Sequence, residues 1–363
     1  MSSTTHTVQE AVRRVADVFT RTPERRGLFP CAADALNSRV PSDASLWFAL
    51  DPITFLPTLP THGDRLAPGL PAASWLTEFD TQDVLLFADL ARSPHPADSL
   101  QRATGQSPER SARYRLSLAP AGIGDELRAV FRVAGTVWGG VALFRAASAP
   151  AFTATDCAAV AAVGPVIAEA LRARAAQGLV AASGAPGPGT ALFCREGRLV
   201  SLDDDAAAWL ERIAGREWNA ADPPTDRVAV TAVVARANAV GLGRARGHSL
   251  ARLRLDDGDW AVLRSNPTWT PQGEPGPTSL IIDRARPSQL VTLRCGAHGL
   301  TAREGEIVEA IGQGYSNEQI GRRVHLSAHT VRDHLTSIFD KVGVATRGEL
   351  AARLFCEGEE RER

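Results

Sequence analysis

His329, Arg332, Asp333 and Thr336 recur three and four residues apart, so in a helix they share one face. All four side chains can bond to base edges or to phosphates. A DNA major groove admits one α-helix, and its donor and acceptor pattern distinguishes all four base pairs. Val331, Leu335, Ile338 and Val342 repeat at helical spacing in the same stretch and form the opposite, inward stripe. The same pattern also suits a small helical bundle that binds protein.

The elements that must hold this face are announced by helix caps. Thr301 precedes Glu304 by three residues, Ser316 precedes Gln319, and Thr346 precedes Glu349. In each pair the hydroxyl can accept from an orphan amide of the first turn, and the longer side chain can bond back. Ser327 offers a fourth cap without a reciprocal partner. Helices are therefore expected at about 301–313, 316–325, 328–341 and 347–355. Only about three residues around Leu326 separate the second from the third, the spacing of a helix-turn-helix.

Residues 298–356 resemble a LuxR-type helix-turn-helix domain. The resemblance rests on Leu300, Thr301, Arg303, Glu304, Glu306, Gly314, Ser316, Asn317, Glu318, Ile320, Leu326, Ser327, Thr330, Val331, His334, Leu335, Lys341, Gly343, Val344 and Arg347. It implies that Ser316 and Asn317 hold phosphate and that Thr330 anchors the DNA backbone. It also implies that Arg332, Asp333 and Thr336 face the groove. His329, His334 and Lys341 complete the candidate DNA contacts. Two positions depart from the family pattern: Asp333 is an acid where neutral or basic residues are frequent, and Gly321 replaces the usual alanine. From Leu300 to Phe355 seven basic residues face seven acidic ones, so charge alone gives modest non-specific DNA affinity. Tight binding then calls for a dimer on two half-sites. Leu350, Ala351, Leu354 and Phe355 crowd a short helix and are the candidate surface for a second copy.

Composition frames the rest. The chain has 363 residues, 44% hydrophobic and 22% charged, with a formal net charge of −1. That suits two or three soluble domains without a global basic bias. Cys31, Cys157, Cys194, Cys295 and Cys356 form no CxxC pair, so neither structural disulfides nor a zinc site is expected. The N-terminus lacks the apolar core of a signal peptide, and no run of about 18 apolar residues suggests a membrane span. The expected location is cytoplasmic. Lys341 is the only lysine. A P-loop needs a lysine for its phosphates, so ATP-driven regulation is not expected. A phosphoacceptor receiver domain also needs a lysine, and none lies upstream of residue 341. Having only Tyr114 and Tyr315 as tyrosines, the chain lacks the aromatic-rich pattern of acyl-homoserine-lactone binders. GLGRARG at 241–247 misses the dinucleotide fingerprint and reads as a loop. Asp203, Asp204 and Asp205 read as a solvated turn and helix cap. No nucleophile–His–acid pattern is visible, so no enzyme and no cofactor are expected.

Two connectors are expected, at 180–189 (VAASGAPGPG) and at 284–297, which contains Pro287. Before the first, a helix near 7–21, a strand at 45–50, two strands over 126–145 and a long helix from Thr153 to about 178 follow in order. The elements of 55–115 cannot be ordered from sequence. The hairpin, Phe152 with Thr153 to Asp156, and the helix ending in EALRARA resemble a GAF domain. That resemblance implies a cup able to hold a small ligand, with a ligand-free dimerisation scaffold as the alternative. Residues 190–283 read as a hairpin around Glu196-Gly197, a short helix capped by Asp204 or Asp205, a hairpin at Asp256-Asp257-Gly258 and a closing strand. This order resembles a PAS-like fold, with Trp209, Trp260 and Leu263 in its core. The expectation is a multidomain α+β chain. A GAF-like α/β sensor at 1–179 and a PAS-like α/β domain at 190–283 precede an all-α LuxR-type head at 298–357. Implied partners are double-stranded DNA, a second copy of the chain, a small ligand and RNA polymerase, with no membrane. The alternatives are a protein-binding scaffold with a constitutive head, or an enzyme acting on a small molecule in the N-terminal pocket.

Overall fold

The computed structural model describes residues 9–10, 12–16, 27–67, 70–79, 83–176, 185–214 and 228–355. The helix expected near 7–21 and the connector at 180–189 lie partly outside these residues, as does Cys356. The chain is a mixed α+β protein with two antiparallel sheets and a C-terminal group of helices. Two compact units divide it. One comprises Met1–Leu171, Pro186–Leu253 and Val262–Asp283; the other comprises Arg172–Ala185, Arg254–Ala261 and Arg284–Arg363.

The first sheet contains β1 (Ala44–Leu50), β2 (Pro57–Asp64), β3 (Ala97–Ser99), β4 (Ile123–Val133) and β5 (Thr136–Ala146), in the order β2-β1-β5-β4-β3. The β4–β5 hairpin turns at Ala134 and Gly135, both with positive φ, as a two-residue turn between twisted strands requires. Successive side chains of a strand point to opposite faces, which sorts the aromatics. Trp47 and Phe131 stack at 5.8 Å on one face, and Phe29 of α1 (Leu28–Asn37) lies 6.0 Å from Trp47. On the other face Phe48 meets the rings of Trp75 and Phe87 edge-on. These two belong to α2 (Leu70–Glu78) and α3 (Phe87–Arg92). With β3, α4 (Leu100–Ala103) and a π-turn at Tyr114–Leu118, these short elements make up the segment that sequence did not order.

The long helix α5 (Ala154–Ala176) opens as expected. Thr153 Oγ1 accepts from the Asp156 amide at 3.1 Å, and Asp156 Oδ2 accepts from the Thr153 amide at 2.8 Å. Val160, Val163, Ile167 and Leu171 are buried. Among the described residues, α5 is the one helix long and apolar enough by composition to cross a membrane. Gly139 and Gly164 mark where it approaches the sheet: a Cβ on Gly164 would lie 3.6 Å from the Phe131 ring, and one on Gly139 would lie 2.7 Å from Leu171 Cδ1.

The second sheet contains β6 (Gly189–Phe193), β7 (Leu199–Leu202), β8 (Leu250–Arg254), β9 (Trp260–Trp269) and β10 (Pro275–Arg284), in the order β7-β6-β10-β9-β8. Counted from its own first strand, each sheet runs second, first, fifth, fourth, third. Two helices, α6 (Asp204–Ala214) and α7 (Val228–Gly241), lie between β7 and β8 in sequence. Trp209, Trp260 and Leu263 are buried, as expected of core residues. The cap of α6 differs from the expectation: Asp203 Oδ1, not Asp204 or Asp205, accepts from the Ala206 amide at 2.8 Å. GLGRARG closes α7 and continues as a loop with Gly243 and Gly247 at positive φ. The two sheet modules share contacts inside the first unit. Helix α7 packs on α2 and β2, Arg252 pairs with Asp51 at 2.7 Å, and Thr58 Oγ1 donates to the Arg252 carbonyl at 2.6 Å.

The stretch 284–297, expected as a connector, is largely the helix α8 (Pro287–Ala297). Proline at the first helical position has its φ already set and lacks only an amide that would be unpaired there. Gln289 Oε1 accepts from the Arg286 amide at 2.8 Å, and Leu290, Val291, Leu293 and Cys295 are buried.

The contact at Gly139 yields a stability prediction. A Cβ there would also lie 2.8 Å from the Phe48 carbonyl oxygen, a backbone atom with little freedom to yield. Gly139→Ala should destabilise the first unit by about 1–3 kcal/mol through overpacking. Urea unfolding followed by tryptophan fluorescence measures this; an unchanged midpoint would refute the tight packing of α5 on β5.

Candidate nucleic-acid interface

Five helices build the C-terminal head: α8, α9 (Ala302–Gly312), α10 (Asn317–Arg323), α11 (Ala328–Val342) and α12 (Arg347–Phe355). Thr301 and Glu304 form a reciprocal capping box at the start of α9, and Ser316 and Gln319 form another at the start of α10. Ser327 Oγ accepts from the Thr330 amide at 3.0 Å and opens α11. Thr346 Oγ1 accepts from the Glu349 amide at 3.1 Å, but Glu349 reaches back to the Ala345 amide instead of the cap's own. Gly343, at φ 73°, ends α11 in the left-handed conformation that glycine adopts without steric cost. Val291, Cys295, Ile307, Ile311, Ile320, Val331, Leu335, Ile338, Leu350 and Leu354 share one core.

The turn between α10 and α11 is tight. His325 takes φ 54°, and the Leu326 amide donates to the Gly321 carbonyl at 2.8 Å. A Cβ on Gly321 would stand 2.6 Å from the Leu326 carbonyl oxygen. This gives the departure from alanine at 321 a steric reason.

The outward face of α11 carries His329, Arg332, Asp333 and Thr336, all exposed. His334 is half-buried beside them. Among the described residues, the Arg332 guanidinium and the Asp333 carboxylate make no hydrogen bond or ion pair. Thr336 Oγ1 donates to the Arg332 carbonyl at 3.2 Å, and the Thr330 hydroxyl shares a 2.8 Å bond with Ser327. Ser316 is exposed at the start of α10, and Asn317 is half-buried with its Oδ1 accepting from Arg347 Nη1 at 3.3 Å. Arg347 also donates to the Tyr315 carbonyl, so one guanidinium ties α12 to the entry of α10. Leu350 and Leu354, expected to meet a second copy, are fully buried in the head's own core. Ala351 and Phe355 remain partly exposed, with Phe355 set over Gly312, where a Cβ would meet its ring.

Lys341, expected at DNA, is held instead by Glu304. Its Nζ donates to the two carboxylate oxygens at 2.8 and 2.7 Å. The Thr301 amide and hydroxyl also donate to Glu304, and so does the Ser337 hydroxyl at 2.8 Å. Glu304 is only 3% exposed. Burial raises its pKa, but the Lys341 ammonium, the Thr301 amide and the two hydroxyls outweigh it and hold the carboxyl at about 2. Sequence showed Glu304 as a capping residue; its tie to α11 needed the fold. At the entry of the head, the Arg172 Nη1 donates to the Ala297 carbonyl at 3.0 Å. The adjacent His298 hydrogen-bonds the Lys341 backbone, and burial together with Arg353, Arg172 and Arg294 lowers its pKa.

The Glu304 site carries a pH signature. A carboxyl whose folded pKa lies below its unfolded value contributes stability above the unfolded pKa, and that stability is lost as pH falls through the folded one. The window runs from about 4.5 down to about 2. The whole contribution is at most about 3.5 kcal/mol. Unfolding of the wild type should therefore lose more stability across this window than Glu304→Gln does. Identical pH slopes would refute the ionised role of Glu304.

Against known proteins, a family model described as bacterial regulatory proteins, luxR family (GerE), matches residues 298–354. A probable transcriptional regulatory protein, SgaR of Hyphomicrobium methylovorum, is 43% identical over 53 residues, 15% of this chain and 25% of that protein. The monoamine regulon transcriptional regulator of Klebsiella aerogenes is 42% identical over 62 residues, 17% of this chain and 27% of that protein. The chain thus spans about a quarter of the length of these curated relatives. A solved structure of the Vibrio cholerae VqmA dimer, a LuxR-type receptor, is 17% identical and covers 47% of this chain and 82% of its own, with a TM-score of 0.22. The E. coli DhaR(N)–DhaL complex is 13% identical and covers 78% of this chain and 90% of that chain, with a TM-score of 0.23. Scores this low are not evidence of a shared whole-chain fold. The family match falls on α9 to α12 with the caps and the turn described above: residues 298–354 are a helix-turn-helix domain of the luxR family.

Proposed function

We propose that this chain is a sequence-specific DNA-binding transcriptional regulator whose N-terminal modules sense a small ligand and control the head. The observation that carries the DNA-binding part is the outward face of α11. An exposed guanidinium, a carboxylate and an imidazole stand there on a helix fixed by its own core. Arg332, Asp333, Thr336 and His329 would read base edges, with His334 at their margin. Ser316, Asn317 and Thr330 would hold phosphates. Lys341 would act by fixing α11 through Glu304. Two copies would bind paired half-sites, because the balanced charge of the head gives a single copy little non-specific affinity. Ala351 and Phe355 are the residues of α12 left to meet the second copy.

The shared strand order supports reading the first sheet module, 1–179, as GAF-like and the second, 190–283, as PAS-like. Control of the head would run through α5, whose Arg172 holds the last carbonyl of α8. RNA polymerase is the partner through which a bound regulator would act. The location implied is cytoplasmic.

Selection of duplexes from a random pool, followed by fluorescence anisotropy, tests the reading. Arg332→Ala should cost about 1–3 kcal/mol on the selected site and little on a scrambled one, the worth of a bidentate base contact. Thr330→Ala should weaken both duplexes about equally, because phosphates carry no sequence information. Failure to enrich any sequence, or unchanged cognate affinity of Arg332→Ala, would overturn the groove assignment.

A further inference from the structure

Asp333 is an exposed acid on the outward face of α11. A helical side chain meets the residues three and four positions away, here His329, Thr330, Thr336 and Ser337. The three hydroxyls are engaged elsewhere. Thr330 shares its bond with Ser327, Thr336 donates to the Arg332 carbonyl, and Ser337 donates to Glu304. No arginine or lysine stands at either spacing to answer the carboxylate. Glu304 is the contrasting acid of the head, buried and bound to Lys341. Among the described residues, Asp333 ties no part of the head to another.

On a face that meets DNA such an acid is a cost unless a donor answers it. Phosphates repel it, and the groove strips its water. The major groove offers two exocyclic amino donors, cytosine N4 and adenine N6. They differ in what stands beside them. Adenine N7 is an acceptor next to N6, and an ionised carboxylate has no hydrogen to give it. Cytosine places only a C–H beside N4. Guanine and thymine present the acceptors O6, N7 and O4, which repel a carboxylate.

Resting on the reading of α11 as the groove-facing helix, we infer that Asp333 is a specificity-determining residue that selects cytosine, whose N4 amino group donates to the carboxylate. Arg332, next in sequence and also exposed, carries the donors that match guanine O6 and N7. Opposite charges on neighbouring residues thus ask for G·C pairs under this part of α11. The acid works by exclusion as much as by attraction. It penalises each sequence that sets an acceptor beneath it, and it lowers the affinity of the head for DNA at large.

The test uses full-length protein, as wild type, Asp333→Asn and Asp333→Ala, each selecting from the same random duplex pool. An amide both donates and accepts, and suits adenine N6 and N7. Wild type should enrich cytosine at one position of the half-site. Asp333→Asn should change that position alone to adenine, and Asp333→Ala should leave it without preference. Fluorescence anisotropy then compares duplexes that differ only there. Replacing the cytosine by thymine should weaken wild type about 5- to 150-fold, the worth of one good base contact. Both variants should bind a scrambled duplex more tightly than wild type, because a charge repelled by phosphate is gone. Variants that select the wild-type sequence, or that gain equally on every duplex, would overturn the inference and leave Asp333 a solvated charge. Wild type that enriches no sequence removes the groove reading itself. An enriched site that neither variant alters removes only the role of Asp333.

Discussion

A carboxylate removed from water is costly unless it is both paired and hydrogen-bonded. Glu304 meets both demands, and the geometry of the head follows from how it does so. Its side chain closes the cap of α9 and at the same time receives Lys341 and Ser337 from the last turns of α11. One anion therefore fixes the end of the helix whose other face is turned outward. The ammonium that answers it belongs to the only lysine of a chain whose other basic residues are all arginine. A compact ammonium carries three donors on a flexible stem and can meet both carboxylate oxygens end-on; a planar guanidinium needs a broader, side-on approach. The site explains why lysine suits position 341 in so arginine-rich a sequence.

The first sheet module repeats the same logic more deeply. Arg113, Arg128, Glu78, Glu126 and Asp83 are buried together under α2 and α3. A cluster of this kind is weak evidence for stability, because desolvation consumes most of the Coulombic gain. What it supplies is direction. Each carboxylate receives donors from a different segment, including the amides of Val84, Phe87 and Arg113. Short helices with little periodicity of their own are thereby held in register over the sheet.

Sequence reading succeeded where the signal is local. A hydroxyl three residues before a Glu or Gln marks a helix start whatever surrounds it, and three of the four head caps were visible as such pairs. The stripe of Val331, Leu335, Ile338 and Val342 and the turns at Ala134-Gly135 and Glu196-Gly197 were legible for the same reason. It missed what depends on a partner distant in sequence. By sequence alone 284–297 is a connector containing Pro287, although at the first position of a helix proline is well placed. Nothing near Lys341 in sequence reveals its partner Glu304, 37 residues away. Leu350 and Leu354 crowd a short helix in sequence, but Val291 and Cys295 of α8 enlarge the core they fill.

The helix α5 runs through the division between the two units, which falls after Leu171. The residue next in line, Arg172, holds the final carbonyl of α8, and the residue after that carbonyl is His298, bonded to the backbone of Lys341. Lys341 in turn reaches Glu304. A contiguous set of contacts therefore leads from the end of α5 to the end of α11. Contiguity alone moves nothing, since a ligand shifts an equilibrium only by its different affinity for two arrangements. The Glu304 site is a buried charge with several partners, and removing one of them costs about 3 kcal/mol or more, at or above the upper end of the roughly 1–3 kcal/mol typical of allosteric coupling. Its partners come from the cap of α9 and from α11 alike, so the two helices are held together at this point.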